Sequence, residues 1–144
     1  MLEALFPSLL KEGYGQTSPA STEYNCIAWA ANRTDVAWWP DPLGVGYWPD
    51  GVPREETLEA FYLAFESIGY SRCDEGQMEI GFEKVALYAL AGQPKHAARQ
   101  LADGRWTSKL GKHIDISHAL GGLEGEIYGQ VVGYLKRSLA TKSD

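Results

Sequence analysis

Cysteine is scarce in this chain: two residues, Cys26 and Cys73, in 144. That number is too small for a disulfide framework, and the two lack the paired spacing of a zinc ribbon, so both read as reduced thiols. Long apolar runs are also missing. Nothing approaches the roughly 18 consecutive apolar residues of a membrane span. The stretch Leu5 to Leu10 is short, contains Pro7 and follows Glu3, unlike a cleavable signal, so the expected location is the cytoplasm, with delivery by a route that needs no cleaved leader left open. Positive charge is in deficit, with 13 Lys and Arg against 19 Asp and Glu and a formal charge of -6. Nucleic acid and anionic membrane are therefore not expected as partners. No GxxxxGK[ST] loop is present, which argues against a P-loop nucleotide enzyme, and no cofactor is expected. His113 and His118 stand five apart, off the i, i+4 spacing of a zinc helix, so no metal site is expected.

What remains is an ordinary globular composition, 44% apolar and 22% charged, with five Trp and eight Tyr. A chain of this size has room for one domain and buries roughly 70% of its unfolded surface without disulfides or metal. The expected single domain spans 1–144, with residues 1–24 as an irregular lead-in and 138–144 as a frayed tail.

Cys26-Ile27-Ala28-Trp29-Ala30-Ala31 is small and apolar all round, which predicts a short buried helix with Asn25 as its N-cap and Cys26 in its first turn. Trp38-Trp39-Pro40-Asp41 is echoed by Tyr47-Trp48-Pro49-Asp50, and the prolines predict an ordered loop. Pro53 opens a helix with Leu58, Phe61, Phe65 and Ile68 on one face and Gly69 as its stop. After a polar stretch from Ser71 to Gly81, strands are expected over Lys84 to Leu90, His96 to Leu101 and Arg105 to Leu110, as an antiparallel meander. Asp115 or Ser117 is expected to cap a short helix ending at Gly121; Tyr128 to Lys136 reads equally as strand or helix.

A cysteine in the first turn of a buried helix, followed far along by a histidine opening a strand, suits thiol chemistry. The attacking species is thiolate, and a neighbouring imidazolium lowers a thiol pKa from about 8.5. These residues resemble the papain-like fold, in particular its compact NlpC-type and CHAP-type amidase branches and papain-like toxin domains. The resemblance rests on Asn25-Cys26 opening an apolar helix and on His96-Ala-Ala-Arg-Gln-Leu-Ala-Asp-Gly-Arg-Trp-Thr-Ser108, and spans residues 22 to 111. The usual Asp-Cys or Gly-x-Cys lead-in is absent. It implies an α+β fold with a papain-like core, the Cys26 helix packed on an antiparallel sheet, and a Cys26–His96 pair acting on an amide in a peptide, protein or small substrate.

In that family a third polar side chain orients the imidazole. A three-residue Ala102-Asp103-Gly104 loop pairs Leu101 with Arg105, separates charged from apolar faces better than a two-residue turn does, and nominates Ser108. Asp115 is the rival. Oxyanion donors are expected from the Cys26 N–H and one of Gln16, Tyr24 or Asn25, with Gln16 favoured by analogy. Trp38, Trp39 and Trp48 either close the core or wall the substrate groove. The competing function is a non-catalytic binding module on the same scaffold, using the Trp-Pro segment as its contact surface. Cys73 reads as a packing thiol. Oligomeric state is not legible.

Overall fold

The computed structural model describes residues 6–9, 13–18, 24–110 and 115–139, without the side chains of 16–18. It is an α+β protein built on one seven-stranded antiparallel sheet. In chain order the elements are β1 (Tyr14–Ser18), α1 (Cys26–Ala30), α2 (Leu58–Glu66), β2 (Ser71–Cys73), β3 (Phe82–Leu90), β4 (Gln93–Gln100), β5 (Trp106–Lys109), β6 (Asp115–His118), a 3-10 turn (Leu120–Leu123) and β7 (Gln130–Ser138). The strands lie in the order β1-β6-β5-β4-β3-β7-β2, so the expected meander forms the middle of a wider sheet.

Side chains alternate across a sheet with a period of two, and here both faces are covered. Val85, Leu87, Ala97 and Leu135 face α1, α2 and the Trp-Pro loop, packing with Ile27, Ala30, Phe61 and Phe65. Ala86, Tyr88, Ala98, Trp106 and Ile116 face the other way, packing with Leu9 and Leu123. That explains the nearly unbroken burial along β3.

The β4–β5 hairpin adopts the three-residue register. Leu101 N–H donates to Arg105 O at 2.7 Å, Arg99 pairs with Thr107, and Gly104 takes a φ of 90° that strains any residue with a Cβ. α1 is buried on nearly all sides and capped by Asn25, as its composition predicts. α2 starts later than Pro53: Thr57 caps it by accepting from Ala60 N–H, while Trp48 Nε1 donates to Pro53 O and Arg54 to Asp41 O, holding the preceding residues to the loop.

Three expectations are corrected. The lead-in contains β1, an edge strand paired with β6. The polar stretch after Tyr70 contains β2, which is three residues long and paired with β7. Asp115 and Ser117 cap no helix; they belong to β6, because Asp115 to His118 alternates against Trp106 to Lys109. Tyr128 to Lys136 resolves as strand, β7 running Gln130–Ser138. The expected frayed tail overlaps β7 at Ser138, and its residues 140–144 lie outside the described residues, as does His113.

Candidate functional site

Asn25 carries α1. Its Oδ1 accepts from Ala28 N–H at 3.1 Å and from Trp38 N–H at 2.9 Å, and its Nδ2 donates to Trp38 O at 2.7 Å. Both polar atoms of the amide thus help to fix the helix start against the Trp-Pro loop.

Cys26 follows at the first helical position, buried over the sheet in the cluster that contains Ala97. The row beneath it is set by register. Leu87 pairs with Ala97, Lys109 with Asp115, and the Arg99–Thr107 pair carried on two residues puts Ala97 level with Lys109. Lys109 and Asp115 are both buried. Lys109 Nζ lies 5.3 Å from the Tyr24 ring centroid, and Tyr24 Oη donates to Asp115 Oδ2 at 2.6 Å. Asp115 Oδ1 is buried with no hydrogen-bond partner among the described residues. A thiol, an amine, a carboxylate and a phenol therefore meet at one place on an otherwise apolar face.

Burial pushes the Cys26 thiol up to about 11; the backbone N–H groups of Ala97, Ile27 and Cys26 itself and the charge of Lys109 all pull the other way. Burial holds the Lys109 amine below its ordinary value, against the raising effect of Asp115 and of the Cys26 sulfur. In the closed site the sulfur is a neutral thiol.

His96 does not join this cluster. It pairs with Tyr88 across β3–β4, stacks on Tyr128 with ring centroids 4.0 Å apart at 8°, and meets Tyr88 edge-on at 5.2 Å, all on the far face of the sheet. The expected Cys26–His96 pair is thus not formed, because His96 and Ala97 are successive residues of one strand and Ala97 takes the side toward Cys26.

The expected contact between His96 and Ser108 is present: His96 Nε2 lies 2.9 Å from Ser108 Oγ. Ser108 Oγ also lies 2.7 Å from His118 Nε2, and His118 Nδ1 lies 2.7 Å from Ala119 O. A carbonyl only accepts, so Nδ1 of His118 carries its proton and Nε2 is the acceptor. Ser108 therefore donates to His118 and accepts from His96 Nε2–H. His96 Nδ1 is left bare, buried and without a partner among the described residues. Burial holds the His96 imidazole well below its ordinary range, with His118 adding to this, and burial brings His118 down to about 4. Both are neutral at pH 7.

Of the tryptophans, Trp38 and Trp48 are buried in the core and Trp39 is half-buried with its ring edge-on to Phe61. The substrate-wall expectation is corrected for Trp38 and Trp48, since neither offers a free face. The exposed apolar side chains of that loop are instead Leu43, Val45 and Tyr47. Gln16 pairs with Ile116 through its backbone on β1, and its side chain lies outside the described residues. Cys73 is half-buried on β2. Lys109 was missed as a site residue because a lysine inside a strand ordinarily marks a solvated position, and its pairing with Asp115 is visible only once β6 is in place. Among the described residues no group of three or more His, Cys, Asp or Glu is placed to hold a metal, and no helix is long and apolar enough to cross a membrane.

A seven-stranded antiparallel sheet with a buried cysteine-bearing helix on one face and a Ser-bridged histidine pair on the other defines the class of fold. The chain belongs to the family described as Domain of unknown function (DUF7689), whose model matches residues 15–136. No curated protein and no solved structure matches it.

Proposed function

We infer that the chain is a cysteine-dependent amide hydrolase or acyl transferase whose nucleophile is Cys26 and whose proton carrier is Lys109 rather than His96. The observation that carries this reading is the cluster itself. A buried carboxylate oxygen of Asp115 with no hydrogen-bond partner among the described residues is costly to folding, and it stands in the same buried row as an amine and beneath a thiol on an apolar face. The papain-like likeness of the Cys26 helix on an antiparallel sheet supports the same chemistry, with the partner residue exchanged.

In the proposed mechanism the thiol proton passes to the Lys109 amine, whose neutral, proton-accepting form is favoured by burial. The thiolate adds to the amide carbonyl, forming an S–C bond. Collapse breaks the C–N bond as Lys109 returns the proton to the leaving amine, and water or another acceptor resolves the thioester. Asp115, held by Tyr24, acts as a positioning residue for the ammonium. Burial is the dominant cause raising the thiol; opening of the site to solvent weakens it and leaves groups that favour thiolate.

The test is acylation by a panel of peptide p-nitroanilides, read by nitroaniline release and by intact mass. The reading expects an acyl adduct on Cys26 that is absent in Cys26→Ser and strongly reduced in Lys109→Met. Release without a Cys26 adduct, or equal release from Cys26→Ser, overturns it. A second reading, a non-catalytic binding module, is favoured by the exposure of Leu43 and Val45, at 89% and 71%. It predicts that Leu43→Ser abolishes partner binding while Cys26→Ser leaves it intact.

A further inference from the structure

Residues 74–81 join β2 to β3 and belong to no helix or strand. They cross one end of the sheet on the face that carries Ala86, Ala98 and Trp106. Register sets Lys84 opposite Lys136, Ala86 opposite Tyr134 and Gln100 opposite Trp106, so these side chains share that face. Polar bonds tie the segment to them. Lys84 Nζ donates to Glu75 O at 2.9 Å, Gln100 Nε2 donates to Gly76 O at 2.8 Å, and the Glu79 carboxylate meets Lys84 at 3.0 Å and Lys136 at 3.1 Å. Leu139 N–H holds the far end at Gly81 O, at 2.8 Å. Gly76 lies so close to the Tyr134 ring that a Cβ there would come within 2.6 Å of it.

The segment and what it covers differ in burial. No residue of 74–81 is buried, and the apolar side chains of Met78 and Ile80 stand exposed. Lys84, Gln100 and Trp106 beneath it are buried, Lys84 to 1% exposure. A lysine is buried at that level only when paired, and among the described residues the Lys84 ammonium is bonded to this segment alone. The strands below are held by a backbone ladder and a packed core, the segment above by a few polar bonds. A unit with so few buried contacts opens at a lower free energy than the sheet unfolds.

We propose that residues 74–81 form a cover that opens as one unit while the sheet stays folded, with the Glu79 carboxylate as its latch, and that opening uncovers the Lys84 ammonium. The cover lies on the face opposite α1 and stands whether or not Cys26 is a nucleophile. Two probes on the full chain report the open state: initial acylation of Lys84 by succinimidyl acetate, with exposed Lys95 as reference, and initial cleavage after Glu75 by a glutamyl endopeptidase, both read by peptide mass spectrometry. Cleavage after Glu83, inside β3, reports unfolding of the sheet. Each rate is taken relative to its value in the unfolded chain. Cleavage after Glu75 and acylation of Lys84 are expected to run at least a hundredfold faster than cleavage after Glu83, and to stay nearly constant in urea below the unfolding transition. Glu79→Gln is expected to raise both at least fivefold and by the same factor, and so is Gly76→Ala, which leaves every charge in place. Lys84 acylation that keeps pace with Glu83 cleavage, acylation unchanged in both variants, or different factors at Lys84 and Glu75 overturns the proposal.

Discussion

Cys26 and His96 occupy opposite faces of the same sheet: Cys26 lies over Ala97, and His96, one residue earlier on β4, turns toward Tyr128. The two residues that sequence spacing unites as a catalytic pair are thereby assigned separate tasks. His96 belongs to a hydrogen-bonded chain through Ser108 to His118, and Cys26 to a cluster with Lys109 and Asp115.

Ser108 is the hinge of the histidine chain, so Ser108→Ala leaves two buried imidazole nitrogens unsatisfied at once. Each costs roughly 1–3 kcal/mol, giving a loss of about 2–6 kcal/mol. Urea unfolding of the variant is expected to show that loss with an unchanged m-value. A loss below ~1 kcal/mol contradicts the assigned chain of donors.

Acid sensitivity follows from the same pair. His118 has its folded value lowered to about 4, against about 6.5 in an unfolded chain. Between those values the unfolded chain binds a proton that the folded chain does not. Stability is therefore full above about pH 6.5, falls as pH drops toward 4, and loses about 3 kcal/mol to His118 by that point. His96, also lowered, adds to the loss with the same sign. Unfolding midpoints measured from pH 7 to pH 4 are expected to fall steadily, and the slope is expected to be shallower in His118→Gln.

Asn25 is expected to be the costliest capping position in the chain. Asn25→Ala removes the acceptor for Ala28 N–H and both bonds to the Trp38 backbone. A cap alone is worth about 1 kcal/mol, and the two Trp38 bonds raise the expected loss to roughly 2–4 kcal/mol. Thr57→Ala, a cap with a single bond to Ala60 N–H, serves as the comparison and is expected to lose only about 1 kcal/mol. Equal losses in chemical denaturation contradict the clamp.

Much of the fold is legible where local chemistry and packing agree. The Asn25 cap, the all-apolar Cys26 helix and the Gly104 turn each have one good local solution, and the hairpin register followed from separating charge from apolar bulk. β1 and β2 were hidden because edge strands bury little and so carry no periodic signal. β6 was misread because Asp115 and Ser117 are common helix caps, and only the neighbouring strand makes them alternate. The Ser108–His96 contact was legible from register. Which face His96 takes relative to Cys26 was not, because that depends on where α1 lands on the sheet, a tertiary fact with no local trace.

The central claim is that the Cys26 thiol answers to Lys109 and not to His96. The direct measurement is the alkylation rate of Cys26 by iodoacetamide across pH 6 to 11, followed by peptide mass spectrometry in the wild-type chain, Lys109→Met, Lys109→Arg and His96→Gln. Lys109→Met is expected to lower the rate along the rising limb below pH 11 and Lys109→Arg to restore it. His96→Gln is expected to leave the rate profile in place while lowering unfolding stability. A rate profile that changes in His96→Gln and not in Lys109→Met contradicts the account and returns His96 to the side of the thiol.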